Sequence, residues 1–292
     1  MQEIKVTYQN QTVIVPKGTL YYDIARQFHL EDTLAAQVGN EVFSLDSKIL
    51  ENCTVSFLDV TSLAGYKIYQ GALKFLFYVS VMELYPDAEV LFLHSVPKGI
   101  LSEIRVTRNL TSDDISKIKG HMASIVEKKE RFSRYHLDNQ DAFHYFMNRH
   151  EEEKAYNIQN TPKEVVTMYR LRDHLNYFYT MMPYDTKVLN RFELVFLGRN
   201  RIVLVCPNVT SGNRVPEYVH YENIVANFMS TKKWLRKMQV PYLSQMNYLV
   251  STSKIQDFIH SNEILYEEDL ISACDKVISM RDVRLVLIAG PS

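Results

Sequence analysis

The first sixty residues consist of short runs in which apolar and polar side chains alternate, and this pattern restricts the start of the fold. Residues 4–8 and 13–15 have the period of half-buried strands, and the polar turn Gln9–Gln11 joins them into a hairpin. Thr19 can cap a following helix, whose apolar residues recur at helical spacing: Leu20, Ile24, Ala25 and Phe28. Further strands are predicted at 36–38, 42–43 and 54–58. We therefore predict a small β-grasp domain over residues 1–62.

The pattern of apolar and polar residues changes after residue 62. A short linker at 62–65 precedes a helix predicted from about Ile68 to Leu84, which Pro86 stops. Thr111 and Asp114 resemble a capping box at the start of another helix. Strands or hairpins are predicted at 89–105, 165–169, 192–196 and 202–205, and helices follow from 218 to 280. Residues 63–280 are therefore predicted to form a second, α+β domain with a helical C-terminal extension.

The last twelve residues, 281–292, have a sequence pattern that differs from both preceding regions. The four apolar residues Leu285–Ile288 are followed by Gly290, Pro291 and Ser292. A continuous apolar run that ends in such a loop is typical of the first buried strand of a parallel sheet. We predict that a separate domain begins here.

Composition excludes several classes of protein. Of the 292 residues, 46% are hydrophobic and 23% are charged, as expected for a globular protein rather than a disordered one. Apolar runs fall short of a bilayer span and no secretory signal is visible, so we predict a cytoplasmic protein without membrane contact. With 33 basic and 34 acidic side chains, any RNA contact must be local. The widely spaced Cys53, Cys206 and Cys274 are predicted to be reduced core thiols.

Several motifs, taken in order, resemble the N-terminal half of threonyl-tRNA synthetase over about residues 1–190. The segment Val15–Thr19 looks like part of a TGS domain, and Glu83–Ala88, with the sequence E-L-Y-P-D-A, looks like the end of the first helix of the editing domain. Further similarity lies at Leu110–Ile115 and Tyr169–Asp173. The resemblance implies a fold in which a β-grasp domain precedes an editing-like α+β domain of the threonyl/alanyl-tRNA synthetase kind.

The same resemblance implies that the editing chemistry is lost. In the synthetases, two histidines four apart on a helix meet a cysteine and a histidine four apart on a later segment. Counted from Glu83, the helix positions fall at Gly71 and Phe75; counted from Asp173, the others fall near Phe178 and Met182. None of these four is a hard or borderline metal ligand. We therefore expect no metal site, no catalytic residue and no editing of mischarged tRNA.

The chain also resembles long-form bacterial uridine kinases, in which a TGS domain and a degenerate editing-like domain precede a P-loop kinase. The shared features are the aromatic run Tyr177–Tyr179, the segment Phe192–Leu194 and the helix around Trp234. The tail resembles the start of G-x-x-x-x-G-K-[ST], with Gly290 as its first glycine and the remaining ligands expected after residue 292. This resemblance implies a downstream kinase domain as partner in the same chain. ATP and Mg²⁺ would serve that kinase, and this fragment would hold no cofactor.

Two functional hypotheses remain open from the sequence. In the first, the chain is the noncatalytic regulatory region of an ATP-dependent nucleoside kinase. In the second, it is a stand-alone module that binds RNA or a small nucleotide without editing activity. The basic run Lys232–Lys237, which contains Trp234, could contact a phosphate backbone, but a solvated helix face is the simpler interpretation. The histidines His121, His174 and His220 are predicted to be isolated.

Overall fold

The structure, a computed structural model, describes residues 2–160 and 163–288. The chain divides into two compact units. The first contains residues 1–138 and 165–228, and the second contains residues 139–164 and 229–292. Residues 1–62 and the segment that follows thus share one unit, whereas the sequence pattern predicts a boundary after residue 62.

A five-stranded mixed sheet begins the first unit. Its strands and helix are β1 (Glu3–Tyr8), β2 (Gln11–Pro16), α1 (Tyr21–Gln27), β3 (Ala35–Val38), β4 (Glu41–Phe43) and β5 (Cys53–Leu58). The strand order is β2-β1-β5-β3-β4, with β1 and β5 parallel. Gln9 and Asn10 both have positive φ, 44° and 66°, as a tight hairpin turn requires. The order of elements confirms the predicted β-grasp arrangement.

Helix α2 (Leu63–Leu84) is the central element of the first unit. It begins five residues earlier than predicted, because the Ser62 hydroxyl accepts a hydrogen bond from the backbone N–H of Gly65 and caps the first turn. The predicted linker is therefore the helix start. Thirteen of its residues are buried, on all of its sides, so the helix forms the middle of a core.

A four-stranded sheet covers part of α2. Its strands are β6 (Glu89–Val96), β7 (Gly99–Arg105), β11 (Glu193–Gly198) and β12 (Arg201–Val205), in the order β11-β12-β7-β6. Between β7 and β11 in sequence lies α3 (Ser112–Glu127), and its predicted capping box is confirmed: Thr111 and Asp114 bond each other reciprocally. The buried stripe of α3 is the predicted one: Ile115, Ile118, Met122 and Ile125.

A three-stranded antiparallel sheet completes the first unit. It contains β8 (Ser133–Asp138), β9 (Val165–Leu171) and β10 (His174–Tyr177), in the order β10-β9-β8, and a 3₁₀ helix follows at Thr186–Leu189. Leu34, Ala35 and Val60 belong to the same buried cluster as α2 and α3. The apolar core therefore continues from the β-grasp region into the α+β region without interruption.

The second unit is helical. Its helices are α4 (Asn139–Asn148), α5 (Glu152–Gln159), α7 (Leu243–Ser251) and α8 (Ile255–Ser279), and α6 (Glu222–Lys237) contributes residues to both units. Along its 25 residues, α8 has no buried side chain. Cys274 is exposed there, so the prediction of a core thiol is wrong for this cysteine, although Cys206 is buried.

The apolar tail does not form a strand within the described residues. Leu287 and Ile288 are 84% and 97% exposed, and residues 283–288 have no regular structure. A strand of a parallel sheet needs neighbouring strands for its hydrogen bonds, and none is provided in the described ranges. No helix among residues 2–160 and 163–288 is both long and apolar enough to cross a bilayer.

Candidate functional site

The four positions that the resemblance assigns to the editing site come together in the structure. Helix α2 places Gly71 and Phe75 one turn apart on the same side, since residues i and i+4 share a helix face. Strand β10 ends at Tyr177, and the segment after it carries Phe178 and Met182 back toward that side of α2. These four positions therefore lie close together in the fold.

Direct contacts fill the space between these positions. The ring centroids of Phe75 and Phe178 are 5.0 Å apart, and Phe75 is fully buried. A Cβ atom added at Gly71 would lie 2.4 Å from Oγ1 of Thr180 and 3.7 Å from Cε of Met182. The place of a side chain at residue 71 is thus taken by Thr180, and the cluster is a packed part of the core.

This cluster lacks the groups that hydrolysis requires. Phe75 and Phe178 offer no ligand atom, the Met182 thioether is a soft and weak acceptor, and Gly71 has no side chain. Within the described part of the chain, no group of three His, Cys, Asp or Glu side chains is placed to hold a metal ion. The cluster provides neither a metal-bound water nor a general base.

A polar network lies at the end of α2, and the sequence did not reveal it. The carboxylate of Glu83 is 2.7 Å from Nε2 of His121 on α3 and 2.8 Å from Nε of Arg172, in the β9–β10 turn. Glu130 lies 3.6 Å from the other side of Arg172. The prediction that His121 is isolated is therefore wrong. His121 is three residues after Ile118 and four before Ile125, and that spacing places it beside the buried stripe.

The other two histidines predicted to be isolated also have neighbours. His174 meets the ring of Tyr78 edge to face, with centroids 6.0 Å apart. His220 lies 2.7 Å from a carboxylate oxygen of Glu222 and 3.2 Å from the hydroxyl of Tyr218. Tyr218, His220 and Glu222 thus form a local cluster within five residues of the chain.

Lys74 is a half-buried cation next to the cluster in sequence. It lies on α2 between Gly71 and Phe75, and its ammonium is 6.0 Å from the centre of the Phe92 ring. Burial lowers the pKa of Lys74 below its usual value.

Comparison with known proteins supports the synthetase resemblance. The chain is 29% identical to a threonine–tRNA ligase of Ehrlichia chaffeensis over 140 residues. This matched region covers 48% of this chain and 22% of that protein. It is 24% identical over 182 residues to the ligase of Ehrlichia canis, covering 61% and 29%. For the ligase of Clostridium kluyveri, the identity is 23% over 178 residues, covering 59% and 28%.

These matches concern one part of each relative. The chain covers under a third of the length of these three ligases, and no family model matches it. The matched region is the N-terminal, editing-like part of the ligases, in agreement with the mixed α+β fold. The resemblance to threonyl-tRNA synthetases is confirmed, and the resemblance to uridine kinases stays a prediction.

Two further sites predicted from the sequence have different outcomes. Gly290, predicted to be the first glycine of a P-loop, lies outside the described residues. The basic run lies on the last turns of α6, where Lys233, Arg236 and Lys237 are exposed and Trp234 is half-buried. The exposed cations of α6 are available to an anionic partner.

Proposed function

We propose that this chain is a module that binds RNA or a nucleotide, derived from a synthetase editing domain and without editing activity. The observation that carries this proposal is the packing of Thr180 into the space at Gly71. With Phe75, Phe178 and Met182 around it, the former site has neither ligands nor room for a substrate. This packing supports the loss of editing, and the binding role is inferred from the similarity to threonine–tRNA ligases.

The exposed cations of α6 are the proposed RNA contact. Lys233, Arg236 and Lys237 lie on one stretch of helix, beside the half-buried Trp234. Cations that neutralise phosphates release counterions, so each such contact makes RNA affinity more sensitive to salt. The near-zero net charge of the whole chain means that this local concentration of charge has to provide the attraction.

The test measures tRNA binding as a function of salt. We expect the chain to bind tRNA at about 50 mM salt, with an affinity that falls as the salt concentration rises. The slope of log K against log[salt] should be about two to three units shallower in a Lys233→Gln/Arg236→Gln/Lys237→Gln variant. A matched variant, Lys98→Gln/Lys117→Gln/Lys128→Gln, removes three exposed charges from elsewhere in the chain and should keep the slope. Absence of binding at low salt would contradict the RNA proposal. Hydrolysis of mischarged tRNA by the chain would contradict the loss of editing.

A second candidate is the noncatalytic N-terminal region of an ATP-dependent nucleoside kinase. The observation that favours it is the apolar segment that follows α8, where Leu285 and Leu287 are 72% and 84% exposed without regular structure. Such residues suit a strand that pairs with further chain. The coding sequence after residue 292 tests this candidate: a G-K-[ST] motif and a kinase domain would support it, and a stop codon would eliminate it. ATP, Mg²⁺ and the downstream domain belong to this proposal alone.

A further inference from the structure

A pocket of about 560 Å³ lies within the first unit, between α1 and the segment around residues 184–188. Its volume is within the range of about 300–1,000 Å³ that is common for small-molecule sites. None of the four former editing positions lines it. The pocket therefore provides a space for a ligand where the Gly71 cluster provides none.

Helix α1 presents polar side chains to this pocket in two rows. Tyr22 and Arg26 lie four residues apart on one face of α1, and His29 follows the helix with a positive φ of 56°. Asp23 and Gln27 form a neighbouring row, and they also line the pocket. Helix α1 and the turn that follows it thus bring a guanidinium, an imidazole, a carboxylate and an amide to the same space.

An aromatic stack forms one wall. The rings of Tyr22 and Tyr184 are parallel within 9°, with centroids 3.6 Å apart. The guanidinium of Arg131 lies 4.4 Å from the centre of Tyr184, and that of Arg26 lies 5.8 Å from the centre of Tyr22. Tyr22 and Tyr184 stack on each other, and each ring also has an arginine next to it. The two rings therefore form a side of the pocket and do not offer a free face for stacking with a base.

Lys187, Glu31 and Asp185 already have partners, whereas no ion pair is formed by Asp23 or Arg26 within the described ranges. Lys187 is 3.5 Å from Glu31, and the Asp185 carboxylate accepts a hydrogen bond from the backbone N–H of Lys187. Burial raises the pKa of Asp185, and the nearby cations oppose that effect. The guanidinium of Arg26 lies against the ring of Tyr22. Its guanidinium is free to hold an oxyanion in two-point geometry.

We propose that this pocket binds a small organic molecule that carries an oxyanion next to hydroxyl or ammonium donors. The oxyanion binds Arg26, with His29 beside it, and the donors bind the oxygens of Asp23 and Gln27. A nucleotide offers this chemistry as a phosphate with ribose hydroxyls, and an amino acid offers it as a carboxylate with an ammonium group. The inference names a ligand class for the binding role proposed above and rests on it. RNA binding and small-molecule binding are separate measurements, so either can fail alone.

The first test is calorimetric titration of the full chain with AMP and, separately, with L-alanine. We expect saturable binding of one of them with a Kd at or below about 1 mM. Arg26→Gln should weaken it by about tenfold or more, because the charged two-point contact is lost. Arg131→Gln is the matched control: it removes the guanidinium at the other end of the stack, and Arg131 does not line the pocket.

The outcomes separate a ligand site from a structural stack. Full affinity in Arg131→Gln and reduced affinity in Arg26→Gln would support the site, and the preferred probe identifies the source of the oxyanion. Equal loss in both variants, or no heat from either probe, would overturn it. Gln27→Trp adds an independent test, since Gln27 is exposed and a large ring there would fill the pocket without disturbing the core. Affinity unchanged by Gln27→Trp would also reject the proposal.

Discussion

The hydroxyl of Thr180 occupies the space that a side chain at Gly71 would need, 2.4 Å from the position of the missing Cβ atom. Real Cβ atoms do not approach another heavy atom so closely, so any larger residue at 71 requires Thr180 to move. The glycine and the threonine are complementary: the first leaves the space, and the second fills it. The former site is therefore filled by side chains and is not an open site that lacks only its ligand.

The first prediction concerns this pair. Gly71→Ala gains up to about 1 kcal/mol of helix propensity but forces overpacking against Thr180, which costs about 1–3 kcal/mol. We expect net destabilisation of the single variant. In a Thr180→Ala background, which removes the clashing oxygen, Gly71→Ala should instead be neutral or stabilising. Urea unfolding of the four proteins gives the coupling energy, and additive effects would show that the two residues do not compete for space.

The second prediction concerns Asp114, whose side chain is only 6% exposed. Arg108 binds it through two nitrogens, each 2.8 Å from a carboxylate oxygen, and Thr111 and Tyr85 also donate to it. These donors lower the pKa of Asp114, with Arg108 as the main cause. Asp114→Asn should therefore cost about 2 kcal/mol at neutral pH, as the loss of charge-assisted bonds and of a helix cap does.

The effect of Asp114 should also depend on pH. A carboxyl group whose pKa is lower in the folded protein stabilises the fold above its unfolded-state pKa of about 4, and this stabilisation declines as the pH falls below that value. The difference in unfolding free energy between the native chain and Asp114→Asn should shrink accordingly. Asp113→Asn is the control, since Asp113 is exposed on the same helix turn. A difference that stays constant from pH 7 to well below 4 would contradict this account.

The third prediction concerns the Glu83 network. Glu83→Gln removes the charge that faces both His121 and Arg172, and it leaves two half-buried groups with a weaker acceptor. We expect a loss of about 1–2 kcal/mol of stability, in the range for hydrogen bonds to charged groups. A cycle with Arg172→Gln should show coupling of about 0.5 kcal/mol or more. If Glu83→Gln is as stable as the native chain, the network contributes nothing to the fold.

Local chemistry explains which parts of the fold the sequence could predict. The hairpin turn at Gln9–Asn10 and the capping box of Thr111 and Asp114 depend on neighbours within four residues, and both are present. The β12–β7 pairing joins residues about a hundred positions apart, as in Ile202 with Ser102. No local pattern specifies such a pairing, because it depends on how whole elements pack.

The candidate site also depends on long-range packing that local sequence patterns do not specify. The meeting of Gly71 and Phe75 with Phe178 and Met182 was predictable only through family resemblance, since the spacing of one helix cannot indicate a partner a hundred residues later. The role of Thr180 was not predictable, because a packed side chain has no sequence signature. The pocket at Arg26 was missed for a similar reason: its walls come from α1 and from a segment near residue 184.

The last prediction tests the absence of a zinc site directly. A ligand that binds only the folded chain stabilises it by about 2.7 kcal/mol when its concentration is a hundredfold above Kd, which corresponds to several degrees in Tm for a chain of this size. A structural or catalytic zinc site would exceed that at micromolar zinc. We expect no rise in Tm with zinc, because the side chains at the former site are a glycine, two phenylalanines and a methionine. Differential scanning fluorimetry with zinc, and with a chelator as the matched control, measures it. A zinc-dependent rise that the chelator reverses would place metal ligands in this chain and would remove the basis for a lost editing site.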